Sequence, residues 1–179
     1  MDSSKKSKVI LVLVLVTFIL PVVIAKLVLN FEWYQGGKTN KGELISANQS
    51  YQSFEQENPY PKQWQMLYLV PNVCNQACQY KLYLLKQTHT ALGKERDRVI
   101  PLIAVSSTSD TSVLTDISLP YFQINAQMAN SLSDHVVIID PLGHLVMRYQ
   151  NLGHQQAQAS QGKDLLTDLR KLLKLSRIG

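Results

Sequence analysis

The only two cysteines in the 179-residue chain, Cys74 and Cys78, stand four apart in the segment Val73-Cys-Asn-Gln-Ala-Cys-Gln79. Beyond them Cys78, Leu82, Leu85, His89 and Leu92 recur at intervals of 4, 3, 4 and 3, the stripe of a helix that faces a core. The cysteines therefore sit where that helix begins. A thiol at a helix N-terminus ionises more readily, because unpaired amides and the helix dipole favour the thiolate. Thiolates are nucleophiles and soft metal ligands. With three residues between them the sulfurs are about one helical turn apart, so the pair can close a disulfide if Cys74 lies in the loop, or hold Cu(I). A redox-active pair would make Cys74 and Cys78 catalytic; a buried or disulfide-bonded pair with a purely structural role is the third possibility.

Several elements must position this pair. Trp64 to Val70 is a mostly apolar run that predicts a strand buried on both faces, as in a parallel sheet, ending at Pro71 just before the cysteines. The helix extends from about Cys74 to Leu92, with Gly93 as its stop. A second apolar strand covers Val99 to Val105, and a polar loop or irregular helix covers 106–118. Tyr121 to Ile124 is a short strand, with Asn125 capping a short helix through Leu132. His135 to Ile139 and Leu145 to Tyr149 form a hairpin around Asp140-Pro141-Leu142-Gly143, where Pro presets φ and Gly supplies the unusual conformation. A Gly/Gln/Ala loop over 150–162 leads to a last helix, Lys163 to about Ser176, with Leu165, Leu169 and Leu173 on its apolar face. Ahead of all this, Gly42 to Ser46 reads as an edge strand, and a Gln/Asn/Ser-rich stretch to Pro61 as a loop.

The net charge of +5 lies at the two ends: +3 over residues 1–30, +3 over 163–179 and −1 between. A folded nucleic-acid binder carries its basic stripe on the domain itself, so no nucleic-acid partner is expected. Val9 to Leu29 is apolar apart from Thr17 and Lys26, and as a helix its 21 residues reach about 31 Å, the thickness of a bilayer core. The run is longer than a signal-peptide core and lacks an A-x-A site, which favours an uncleaved anchor. Lys5, Lys6 and Lys8 place the N-terminus in the cytoplasm, and Trp33 and Tyr34 fit the aromatic belt. The expected organisation is a cytoplasmic N-terminus over 1–8, a transmembrane anchor over 9–29, a linker over 30–41 and an exported domain over 42–179.

The order strand, helix, strand, short helix, hairpin, helix, with cysteines where the first strand meets the first helix, is the thioredoxin-like arrangement. The expected fold class is α/β, a central mixed sheet with flanking helices, preceded by one transmembrane helix. In such folds the start of the hairpin strand lies against the cysteine turn, which makes His135 the best placed of four histidines for a third ligand. His89 shares the cysteine helix but lies about three turns from Cys78, as a packed, hydrogen-bonded core residue. His144 and His154 are expected on the surface. The usual cis-Pro beside the active cysteines is absent, its place taken by Asp134, which would raise the pKa of a nearby thiol and disfavour a strong oxidant.

The anchor, C-x-x-x-C after an apolar strand, the Asp134-His135 pair and the D-P-x-G hairpin together resemble the Sco/SenC copper proteins over about residues 42 to 176. The resemblance implies two cysteines and a distal histidine binding copper, here Cys74, Cys78 and His135, for delivery to the binuclear copper site of cytochrome c oxidase. In that family Pro follows the second cysteine, where this chain has Gln79. Its histidine stands about three residues earlier, where this chain has Leu132. The ending Lys163-Asp-Leu-Leu to Arg170-Lys-Leu-Leu-Lys-Leu-Ser-Arg-Ile-Gly179 is similar to that of anchored, thioredoxin-like proteobacterial proteins that look like companions of oxidase assembly factors. The expected function is an accessory protein for cytochrome c oxidase assembly, binding copper or handling thiols through Cys74 and Cys78. Its expected partners are the membrane and oxidase subunits or other assembly factors, and its location a single-pass protein of the inner membrane with its domain in the periplasm. The alternatives are a general periplasmic thiol-disulfide oxidoreductase and a non-catalytic interaction module with structural cysteines.

Overall fold

The computed structural model describes residues 3–30, 39–115, 117–133, 135–150 and 152–178. Trp33, Tyr34, the linker residues Gly36 to Lys38, and Asp134 lie outside them. The chain divides into two compact units, Met1–Thr39 and Asn40–Gly179.

In the first unit α1 (Ser3–Asn30) contains the apolar run, and Lys8–Val28 has the length and composition of a membrane span. Pro21 lies within the helix. Neighbouring backbone in such helices is tolerant of proline because local adjustments re-satisfy the freed carbonyl. Thr17 Oγ1 donates to the Leu13 carbonyl at 2.8 Å, which keeps its hydroxyl paired within the helix.

The second unit runs β1 (Glu43–Leu44), β2 (Trp64–Leu69), α2 (Gln76–Ala91), β3 (Val99–Val105), β4 (Tyr121–Gln123), α3 (Ala126–Leu132), β5 (His135–Ile139), β6 (Leu145–Gln150) and α4 (Gln155–Leu175). Six strands form one sheet in the order β1-β6-β5-β2-β3-β4. The sheet is mixed: β2 pairs parallel with β3 but antiparallel with β5, so the apolar β2 is central without the whole sheet being parallel.

Alternation along each strand sorts the side chains into two cores. Met66, Tyr68, Ile103, Val136, Ile138, Met147 and Tyr149 face α2 and α4, together with Cys74 and Cys78. Leu67, Leu102, Ala104, Val137, Ile139 and Leu145 face α3 and the segment holding Tyr51 and Phe54. The stretch read as a Gln/Asn/Ser-rich loop thus contributes two aromatic core residues, and Tyr51 Oη donates to the buried Gln65 Oε1 at 2.6 Å.

Two expectations need correction. The segment 150–162 is not a loop throughout, because α4 begins at Gln155, a full two turns ahead of Lys163. Gln and Ala favour helix, and Gln158 is buried, so the polar run is a helix face against the domain. His89 is only half-buried, its Nε2 3.0 Å from the Arg96 carbonyl, while Thr88 takes the core position beside it.

Candidate functional site

β2 ends at Leu69 and the chain turns through Pro71 to the cysteines before α2 starts at Gln76. Asn75 is the N-cap, its side chain accepting from the Cys78 N–H at 3.1 Å. Cys78 is therefore the third residue of the helix, and Cys74 precedes the cap. The capping geometry follows from residue type: a short amide side chain at the cap satisfies a backbone donor that the helix leaves free.

Cys74 and Cys78 are joined by a disulfide, with their Cα atoms 5.1 Å apart. Both are buried, Cys74 at 7% and Cys78 at 3% relative exposure, which leaves Cys74 the more accessible sulfur-bearing residue. A loop after β3 holds this turn in place. Asp110 Oδ2 accepts from the Cys74 N–H at 3.1 Å, and the Asp110 N–H donates to the Pro71 carbonyl at 2.9 Å. Ser109 Oγ donates to the Val70 carbonyl at 2.6 Å. Hydrogen bonds from the Ser112 hydroxyl, the Cys74 amide and the Ser112 amide hold the Asp110 carboxyl below its ordinary range. It stays a carboxylate, and so an acceptor for the cysteine turn, across the neutral range.

His135 lies at the cysteine end of the sheet, because β5 runs antiparallel to β2 with Val136 opposite Tyr68. Strand parity sends it the other way, however. Val136 and Ile138 face the cysteines, Val137 and Ile139 face α3, and His135 falls in the second set. Its Nδ1 is hydrogen-bonded to the Ser133 carbonyl. Among the described residues no three His, Cys, Asp or Glu side chains come together as a group able to hold a metal. The other two histidines lie elsewhere: His144 Nδ1 is 3.1 Å from Asp140 Oδ2 in the hairpin, and His154 is the N-cap of α4.

Residues 64–176 match the family described as transmembrane-like, thioredoxin-like, C-terminal domain. The chain belongs to this family. That membership and the mixed sheet with α2 and α4 on one face and α3 on the other establish a thioredoxin-like fold. No curated protein matches the sequence. Among solved structures, copper-bound Sco1 from yeast is similar at 13% identity and a TM-score of 0.49, over 78% of this chain and 96% of that one. Apo Sco1 from Thermus thermophilus is similar at 14% identity and a TM-score of 0.46, over 63% of this chain and 81% of that one. Peroxiredoxin Q from Xanthomonas campestris is similar at 10% identity and a TM-score of 0.45, over 64% and 82% respectively.

Lys81 is a residue of the site's surroundings that sequence reading passed over. It belongs to the buried face of α2 with Cys78, Leu82, Leu85 and Thr88, at 3% exposure. Its ammonium donates to Gln161 Oε1 of α4, and burial pushes its pKa down to about 8. Spacing places 81 on the helical face of 78, 82 and 85, but a lysine there ordinarily carries its charged end out to solvent, so the spacing alone does not signal burial.

Proposed function

We propose that this protein is a membrane-anchored thiol-disulfide accessory factor for cytochrome c oxidase assembly, keeping copper-site cysteines of the oxidase in the redox state that metallation needs. The observation that carries the thiol chemistry is the buried Cys74–Cys78 disulfide at the start of α2. A dithiol there reduces a partner disulfide and becomes this disulfide; another protein dithiol returns it to the reduced form. The oxidase as destination is supported by the resemblance of the anchor, cysteine spacing and hairpin to the Sco/SenC proteins. The three lysines before the span support a cytoplasmic N-terminus and a periplasmic domain at the inner membrane.

Incubating the full-length, detergent-solubilised chain in glutathione buffers and trapping free thiols tests the chemistry. Reversible interconversion of dithiol and disulfide is expected, and a disulfide that no buffer reduces without unfolding overturns the reading. In cells, a Cys74→Ser, Cys78→Ser variant is expected to accumulate like wild type but to lower oxidase activity.

Copper as cargo is the second form of the reading, since reduced Cys74 and Cys78 are a thiolate pair suited to Cu(I). His135 would complete the set only by leaving the α3 face. Cu(I) titration of the reduced chain tests it: binding weakened by Cys74→Ser, Cys78→Ser but not by His135→Ala is expected, and equal loss in both restores His135 as a ligand.

A further inference from the structure

Lys81 is a buried cation with a neutral partner. It stands one turn after Cys78 on the inward face of α2, with Leu82, Leu85 and Thr88 as companions. At i and i+3 the Cβ atoms of such residues are about 5 to 6 Å apart, and helical side chains lean toward the N-terminal turn, here the turn of Cys78. Gln161 Oε1 accepts from the ammonium and Gln161 Nε2 donates to the Gln150 carbonyl at the edge of the sheet. The surrounding side chains from both helices and the sheet are Leu85, Thr88, Val136, Tyr149, Gln158 and Leu165, all without charge at neutral pH. A lysine placed in this way normally costs stability unless a negative charge compensates it. In the disulfide form the ammonium's hydrogen bond goes to neutral Gln161, while the carboxylate beyond Tyr149, Asp168, is taken up by the Tyr149 hydroxyl, the Lys41 and Gly42 amides and Lys171.

We infer that Lys81 is a positioning residue for the thiol chemistry, its ammonium compensating the thiolate that forms at Cys78 when the disulfide is opened. The inference rests on the proposed thiol-disulfide function. In the reductive direction a thiolate of a dithiol reductant attacks Cys74 Sγ, on the residue that precedes the helix and is the less buried of the two. The S–S electron pair leaves on Cys78 Sγ as thiolate, one helical turn before Lys81 on the inward side of α2. The second thiol of the reductant, after losing its proton to solvent, attacks its own mixed-disulfide sulfur and releases Cys74 as thiolate, which takes a proton from solvent. The reductant becomes a disulfide and the protein a dithiol. Stabilising the Cys78 thiolate moves the couple toward the reduced form and speeds the first step, because a better leaving thiolate leaves faster.

The test uses the full-length chain in detergent, with K81M, K81R and Q161E compared in glutathione redox buffers. K81M is expected to lower the equilibrium constant for reduction about tenfold, about 30 mV for a two-electron couple, with a matching fall in the rate of disulfide opening. K81R, which keeps the charge, is expected to stay within about threefold of wild type. Q161E supplies Lys81 with a permanent counter-charge and is expected to shift the constant in the same direction as K81M. It carries the test alone if K81M does not fold by circular dichroism. Wild-type values for K81M, or for Q161E in that case, overturn the role of Lys81 while leaving the thiol function standing. A wild-type disulfide that does not equilibrate with glutathione overturns the thiol function itself.

Discussion

At the residue scale Asp168, buried at 1% exposure in α4, ties three distant groups together. Its Oδ2 accepts from the Lys41 N–H at 2.7 Å, the Gly42 N–H at 2.9 Å and the Tyr149 hydroxyl at 2.9 Å. Removing it leaves three donors without their acceptor, so Asp168→Ala is expected to cost about 3 kcal/mol in urea denaturation of the full chain. Gly42 is packed just as tightly: a Cβ there would lie 2.6 Å from Tyr149 Cζ. Gly42→Ala is expected to cost about 1 to 3 kcal/mol by the same measurement, and a neutral result would mean the Tyr149 ring swings aside freely. None of this was legible in the sequence, since Asp168 and its donors Lys41 and Gly42 are more than 120 positions apart. The caps Asn75 and Asn125 behave otherwise. Their bonds to Cys78 and Met128 span three residues, and in the case of Asn125 residue type at a helix start was enough to predict it.

At the scale of elements, strands β3 and β5 and helix α3 run as their apolar pattern and caps predict, because local signals define both their ends. The start of α4 was hidden. Gly153 and Gly162 bracket a polar run with no apolar periodicity to mark a helix, and its burying partner, α2, lies far away in sequence. Gly162 is a full helical residue, and a Cβ there would meet Leu84 Cδ2 and Thr88 Oγ1 at 3.7 Å, ordinary contact. Gly162→Ala is therefore expected to stabilise the domain by about 0.5 to 1 kcal/mol, read as a higher urea midpoint. A lower midpoint would mean that α2 and α4 need to approach more closely than they do here. The cysteine helix was legible in position but not in its inner chemistry: a lysine at i+3 usually sits in solvent, and only the packing of α4 over α2 buries Lys81.

For the whole domain, buried titratable groups set how stability follows pH. Lys81 has its pKa lowered to about 8 by burial, so between pH 8 and the ordinary lysine range near 10.4 the unfolded chain holds a proton that the folded one has released. Stability is expected to rise across that interval, and K81M to abolish the rise. Tyr51 is raised by burial; Tyr149 is raised by burial, its bond to Asp168, and the charges of Asp168 and Asp164. Above about pH 10 the unfolded chain loses tyrosine protons that the fold retains, so stability there is expected to fall, and Tyr149→Phe to shallow the fall. Urea midpoints measured from pH 7 to 11 check both limbs. The Asp168 bonds have one more consequence. Because Glu43 pairs with Arg148 and Gln150 pairs with His135, residues 41–42 are fastened at the end of the sheet from which the chain leaves β2 for the cysteines. The hairpin turn 140–143 lies at the opposite end, roughly 20 Å of strand away. Within the domain, the Asp168 clamp and the turn that carries the disulfide therefore share one end of the sheet, and the hairpin occupies the other.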